Sequence, residues 1–165
     1  MRKLYPVALV LAAAFAVAGV AEPARAASPG KGSPRHSHNL LGESVGLVGY
    51  DPVSYFPEGG GKAEKGLIGI SHEYDGVIYR FGSEEHRALF IRNPEKFVPV
   101  YGGWCAWAVG ELGKRVDADP ESFEIKNGKL YVFYRDRNLD THALWLQKPD
   151  ELISKADANW PALAR

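Results

Sequence analysis

The sequence is poor in cysteine, has no excess of either charge and contains no apolar run long enough for a secure membrane span. Cys105 is the single cysteine among 165 residues, so no intramolecular disulfide can form. Lysine plus arginine number 20, and aspartate plus glutamate also number 20. Because nucleic-acid-binding proteins usually carry a basic excess, this balance argues against a nucleic-acid partner.

Residues 1–26 are typical of an export signal. Arg2 and Lys3 form a positive start, and the apolar run Val7–Val20 follows. This run is shorter than the roughly 20 residues that span a bilayer, and the small residues of Ala24–Ala26 favour cleavage directly after them. We expect an exported protein, periplasmic or secreted, with no membrane span after signal cleavage. The alternative is an uncleaved N-terminal anchor.

Residues 27–40 predict a flexible leader, and residues 41–165 predict one folded domain. The leader is rich in serine, proline and glycine and has few apolar side chains to bury. It also contains His36 and His38, which are spaced so that both imidazoles can reach one metal ion weakly. The alternative is a polar tail that happens to contain histidines.

Two β-hairpins with short helices around them predict an α+β fold with a small antiparallel sheet. Asp75-Gly76 and Asn127-Gly128 are strong two-residue turn signals, each between alternating apolar and polar residues. Ser83 is placed as the N-cap of a helix that runs to about Arg92. Further expected elements are a buried helix at 104–109, a turn at 119–120, a helix at 141–148 and a last helix from 149 to before 160.

Several motifs in order along the chain resemble the YHS family. They are Tyr50-Asp51-Pro52-Val53, Tyr74-Asp75-Gly76 with Tyr79 and Phe81, Asn93-Pro94-Glu95-Lys96-Phe97, Tyr101-Gly102-Gly103-Trp104-Cys105-Ala106 and Asn159-Trp160-Pro161. The similarity covers roughly residues 45–161 and is greatest to the exported single-domain branch. The resemblance implies a small metal-associated α+β module and leaves the activity of this branch open.

The chain departs from the family pattern at the positions where metal-binding members carry cysteine. Ser54 stands where a cysteine follows Asp-Pro-Val, and Gly82 and His86 stand where a Cys-Ser-x-x-Cys segment follows the hairpin. Soft metals prefer thiolate ligands, which serine and glycine do not replace. Of these three residues, only His86 keeps the character of a ligand for copper or zinc.

A rebuilt metal site is one hypothesis for function, with Cys105, His86 and His72 as its ligands and copper or zinc as the ion. It requires the helix that begins at Ser83 to pack against the segment around Cys105. Two ligands bind weakly, because structural zinc needs four and catalytic zinc usually three. His142 is expected to be a solvated residue at the start of a helix.

The alternative hypothesis is a binding module for a small non-metal ligand or a protein partner, with Cys105 buried and structural. Free cysteine is among the most buried residue types, and the neighbouring tryptophans favour burial here. No protease or acyltransferase pattern surrounds Cys105, so the sequence favours binding over catalysis. Aromatic residues of the motif segments are expected to form core or to line a pocket: Tyr50, Tyr55, Phe56, Tyr101, Trp104 and Trp107.

Overall fold

The computed structural model describes residues 37–42 and 44–165, which form a mixed α+β fold. This confirms the predicted fold class. The elements are β1 (Leu40–Leu41), β2 (Val45–Gly46), β3 (Leu67–Tyr74), β4 (Val77–Phe81), α1 (Glu84–Arg92), α2 (Pro94–Phe97), α3 (Ala106–Leu112), β5 (Asp119–Lys126), β6 (Lys129–Phe133), α4 (Thr141–Trp145) and α5 (Pro149–Leu163).

Both predicted hairpins are present, but they lie in two separate sheets rather than in the one small sheet that was predicted. β3 and β4 pair antiparallel around Asp75 and Gly76, whose φ angles of 55° and 76° suit a two-residue turn. β1 and β2 extend this sheet in the order β1-β2-β4-β3, and the short β2 runs parallel to β4. β5 and β6 form the second sheet around Asn127 and Gly128, which are also left-handed.

α1 has the predicted boundaries, and it begins after Ser83 because the Ser83 side chain caps the first turn. Ser83 accepts a hydrogen bond from the backbone N–H of His86 at 3.1 Å, and the helix ends at Arg92. Pro94 then begins α2, since proline lacks an amide hydrogen and is well tolerated in a first helical turn.

Four predicted boundaries were wrong. α4 ends at Trp145 rather than at Lys148. α3 begins at Ala106 rather than at Trp104, because the left-handed Tyr101 and the extended Trp104 delay the helix. The predicted turn at Asp119 belongs to β5, where a register shift precedes Phe123. α5 continues through Pro161 to Leu163, and the amide of Ala164 still donates to the carbonyl of Trp160 at 2.9 Å.

Two hydrophobic cores lie side by side. The first core packs α1 and α2 against the four-stranded sheet, and the ring of Phe90 lies within 6.4 Å of the rings of His72, Tyr74, Tyr79, Phe81 and Phe97. The second core packs α3, α4 and α5 against β6 around the fully buried Trp145. Within it, a Cβ on Gly110 would lie 2.6 Å from the carbonyl oxygen of Leu152, so α3 and α5 approach closely.

The N-terminal end of the described chain packs against the segment that precedes α3. The amide of Asn39 donates to the carbonyl of Gly102 at 2.9 Å, and the indole N–H of Trp104 donates to the carbonyl of Ser37 at 2.7 Å. These hydrogen bonds show that residues 37–40, which were predicted to belong to the flexible leader, are in contact with the fold. The predicted signal peptide and the rest of the leader lie outside the described residues. Among the residues described, no helix has both the length and the apolar character to span a bilayer.

Candidate functional site

Cys105 is fully buried immediately before α3, beside β6. Its Sγ lies 3.3 Å from Oγ1 of Thr141, and the Thr141 hydroxyl itself donates to the carbonyl of Tyr134 at 2.7 Å. Because the single hydroxyl proton is used in that bond, the thiol is the donor to Thr141. The thiol therefore has zero exposure and one polar partner, which is the geometry of the buried, structural alternative.

His86 faces a different residue, the buried carboxylate of Asp51. Nδ1 of His86 lies 2.6 Å from Oδ2 of Asp51, and the two side chains are 20% and 1% exposed. A carboxylate only accepts hydrogen bonds, so the short contact places the ring proton on Nδ1. Nε2 has no protein hydrogen-bond partner among the described residues, and it is the one donor atom that this histidine could offer to a ligand.

Asp51 organises a cluster of four residues, Asp51, Ser54, Gly82 and His86, which we call the Asp51 cluster. Besides His86, its carboxylate accepts from the amide of Val53 at 2.8 Å and from the amide of Gly82 at 2.8 Å. The Ser54 hydroxyl donates to the Asp51 carbonyl at 2.8 Å. The three positions at which the YHS pattern carries cysteine thus all contact Asp51, Gly82 and His86 through its carboxylate and Ser54 through its backbone carbonyl.

His72 lies on β3, where its ring meets the edge of Phe90 in the first core at a centroid distance of 6.3 Å. Burial and, to a smaller extent, the nearby Arg87 guanidinium hold the pKa of His72 below its usual value of 6.5. Both effects disfavour the charged imidazolium. The structure therefore gives His72 a packing role in the first core.

The three predicted metal ligands do not form one ligand set. Within residues 37–42 and 44–165, no group of three or more histidine, cysteine, aspartate or glutamate residues is arranged to hold a metal ion. Cys105 contacts Thr141 beside the second core, whereas His86 contacts Asp51 beside the first. A metal ion bound at either residue alone would lack the three or four protein ligands that zinc sites use.

His142 is more buried than the sequence suggested. Its ring stacks on Phe133 with a centroid distance of 4.6 Å and an interplanar angle of 16°. Nε2 is buried and lies 3.7 Å from Oε2 of Glu124, which is too long for a hydrogen bond. The expectation of a solvated histidine was wrong, because α4 lays this residue flat against β6.

A concave site lies where the two cores meet, and we call it the aromatic pocket. Its volume is about 180 Å³. Its walls come from the N-terminal segment, the β3–β4 hairpin, α2, the segment before α3 and the end of α5. The lining residues are His38, Tyr74, Asp75, Tyr79, Glu95, Val98, Pro99, Tyr101, Gly102 and Trp160.

The pocket combines aromatic walls with acidic groups. Burial raises the pKa of Tyr74, and the carboxylates of Glu95 and Asp75 raise it further, so both charges act on this phenol. The Tyr101 hydroxyl donates to Oδ1 of Asp157 at 2.8 Å, and burial together with this bond raises the pKa of Tyr101. Tyr74 and Tyr101 therefore stay neutral at physiological pH, and the hydroxyl proton of Tyr101 is used in its bond to Asp157.

Sequence reasoning found part of the pocket and missed the rest. Of the aromatic residues expected to form core or pocket, Tyr101 lines the pocket, whereas Tyr55 and Phe56 are core. Trp160 was recognised only as part of a motif. The role of Asp51 was also missed, although an aspartate two residues before a loop amide is the pattern of an Asx-turn.

Comparisons with known proteins found no relative. No family model, no curated protein and no solved structure matches the chain. The resemblance to the YHS family stays a prediction from the sequence.

Proposed function

We propose that the chain is an exported YHS-like binding module that holds a small organic ligand in the aromatic pocket. The observation that carries the proposal is the pocket itself, a cavity of about 180 Å³ walled by four aromatic residues and a few polar groups. Ligand sites in proteins commonly have this composition. The family assignment is supported by the ordered motifs and by the convergence of Ser54, Gly82 and His86 on Asp51.

The Asp51 cluster supports binding over metal handling. In it, a carboxylate with three hydrogen-bond donors stands where the family pattern implies thiolates. Every polar atom of the Asp51 carboxylate is used to join the loop after Tyr50 to β4 and α1. Cys105, the other soft donor, is sealed beside Thr141. Asp51 and Cys105 therefore serve the fold, and the aromatic pocket is the surface that we assign to the ligand.

A fragment-binding experiment tests the proposal. Purified protein is screened by ligand-observed NMR against a small-molecule library that includes neutral, cationic and anionic compounds. Binding should quench the fluorescence of Trp160, so Trp160→Phe should remove most of the quenching. Trp107→Phe is the matched control, since Trp107 packs on the second core and does not line the pocket. If no fragment binds, or if Trp107→Phe abolishes the signal instead, the proposal fails.

Metal titration tests the competing hypothesis. We expect Cu(I), Cu(II) and Zn(II) to bind weakly to the purified protein, with affinities that do not change in Cys105→Ser or His86→Ala. Tight binding that either variant abolishes would favour metal handling over the proposed ligand site. N-terminal sequencing of the protein from its native compartment checks the export step, for which the expected first residue is Ala27.

A further inference from the structure

We propose that the occupant of the aromatic pocket carries a positive charge, as a compact amine or quaternary ammonium group. This inference rests on the proposed function, because it names the chemical class of the ligand for the same pocket. It is carried by the combination of aromatic side chains and of two carboxylates without an ion pair among the residues that line the cavity.

Aromatic rings supply the walls of a cation site. The rings of Tyr101 and Trp160 meet edge to face, with centroids 5.7 Å apart and an interplanar angle of 61°. Both residues line the pocket, so a compact cationic group seated there would lie beside two aromatic side chains. The bond from the Tyr101 hydroxyl to Asp157 places electron density on the phenol and strengthens its attraction for a cation.

Asp75 and Glu95 supply negative charge without a protein counter-ion. Neither residue takes part in an ion pair among the described residues, whereas Glu58, Glu111 and Asp119 each pair with a lysine or arginine. No lysine or arginine is among the residues that line the aromatic pocket. A ligand cation would therefore be the counter-charge that these two carboxylates lack.

Two lysines, Lys96 and Lys129, lie beside Glu95 in an adjoining depression and do not line the pocket. Lys96 pairs with Glu58, and its ammonium lies over the rings of Phe56 and Phe97 at 5.9 and 5.2 Å. Lys129 lines an adjoining depression that shares Glu95 with the pocket. The positive charges of these lysines partly offset the negative potential of Glu95. Asp75 should therefore contribute at least as much to cation binding as Glu95 does.

The size of the cavity limits the ligand to a compact head group. Its volume of about 180 Å³ lies below the roughly 300–1,000 Å³ of sites that enclose a drug-sized molecule. A trimethylammonium group or a primary amine with a short chain fits this limit. A large planar cofactor does not.

A pair of isosteric probes tests the charge directly. Choline and 3,3-dimethylbutan-1-ol have nearly the same shape and differ in that only choline is charged. Titration at pH 8, where a histidine side chain is ordinarily neutral, should show choline binding at least about 5-fold tighter, since a cation on aromatic faces gains about 1 kcal/mol or more. Raising the salt concentration should narrow this difference because carboxylate attraction is screened.

Two charge-removing variants locate the effect. Asp75→Asn and Glu95→Gln should each weaken choline binding by about 3- to 10-fold, the range of a partly exposed charge pair, and leave the neutral alcohol unchanged. Asparagine is chosen because position 75 has a φ of 55°, a conformation that asparagine tolerates. Asp117→Asn, an exposed aspartate outside the pocket, is the matched control and should change neither affinity.

The outcomes separate this inference from the proposed function. Equal affinity for the two probes, or preference for an anionic fragment, overturns the cation assignment while the pocket remains a binding site. Loss of choline binding in Asp117→Asn as large as in Asp75→Asn also overturns it. If no compound of any charge binds, the proposed function itself fails.

Discussion

The two cores of this molecule are held together in different ways. In the first core, the carboxylate of Asp51 ties three separate segments through hydrogen bonds of 2.6 to 2.8 Å. In the second core, α3 and α5 touch at Gly110, and apolar rings surround Trp145. Beside the second core, the buried thiol of Cys105 has one side-chain hydrogen-bond partner in the described part of the chain, Thr141.

This difference shows that the number of hydrogen bonds to a buried polar group indicates how much its removal should destabilise the fold. Removing one partner of a buried, multiply bonded charge leaves the others unsatisfied, which costs far more than losing one weak bond. A buried thiol behaves as a small hydrophobic group and has little polar character to satisfy. The stability of the first core should therefore depend most on its polar groups, and that of the second core on side-chain volume.

Asp51→Asn should have the largest effect. The amide group of asparagine cannot accept at both oxygen positions, so at least one of the donors from Val53, Gly82 and His86 loses its partner. We expect the free energy of unfolding to fall by about 3 kcal/mol, because a hydrogen bond to a charged acceptor is lost and a buried donor is left without a partner. Urea denaturation measures this, with Asp117→Asn as a surface control. A loss below about 1 kcal/mol would show that Asp51 does not tie the first core.

Gly110→Ala should come next and tests the close helix contact of the second core. The added Cβ would lie 2.6 Å from a backbone oxygen, which cannot rotate away. Overpacking of this kind costs about 1–3 kcal/mol. Gly69→Ala is the matched control, because a Cβ there meets nothing within 4 Å. Equal stability of the two variants in thermal denaturation would contradict the proposed tight packing of α3 against α5.

Cys105→Ala should cost about 1–2 kcal/mol, since it removes a small buried group and one weak hydrogen bond. The thiol of the native protein should not react with an aromatic disulfide reagent until the protein unfolds, because its exposure is zero. Stoichiometric labelling of the folded protein within seconds would show that the site opens readily. Comparing the stability of Cys105→Ser with that of Cys105→Ala separates the effect of polarity from the effect of lost volume at this position.

His72→Gln should have the smallest effect, and it appears in the dependence of stability on pH. The folded pKa of His72 lies below 6.5, so the unfolded state binds more protons as the pH falls below that value. The contribution of His72 is therefore present above pH 6.5 and is lost at lower pH. Between pH 7.5 and pH 5.5, we expect the free energy of unfolding of the variant to fall less than that of the native protein, as measured by denaturation. An unchanged slope would contradict the role of burial.

Local signals were sufficient for much of the fold. Asp75-Gly76 and Asn127-Gly128 predicted both hairpins because left-handed residue pairs permit few other turns. Ser83 predicted the start of α1 for a similar reason, since its hydroxyl caps the free amides of the first turn. Boundaries failed where contacts distant in sequence decide them. Trp160, for example, packs against Tyr101 and lies in a helix that continues past a proline.

The candidate site was predictable only in part, because it is assembled from the whole length of the chain. Cys105 and His86 were sensible candidates by chemistry, but the sequence does not show that their neighbours would be Thr141 and Asp51. The aromatic pocket joins residues from His38 to Trp160. No periodicity or spacing in the sequence brings such residues together, so the pocket could be found only from the folded chain.

The arrangement of His38 and Trp160 in one cavity wall has a mechanical consequence. A molecule bound there would contact both the segment around His38 and the last helix, and would link these two parts of the domain. Ligand binding should slow amide hydrogen exchange in both segments together, because local opening of either segment would require the ligand to dissociate. Protection that rises in both of these segments at once would then report occupancy without any spectroscopic label.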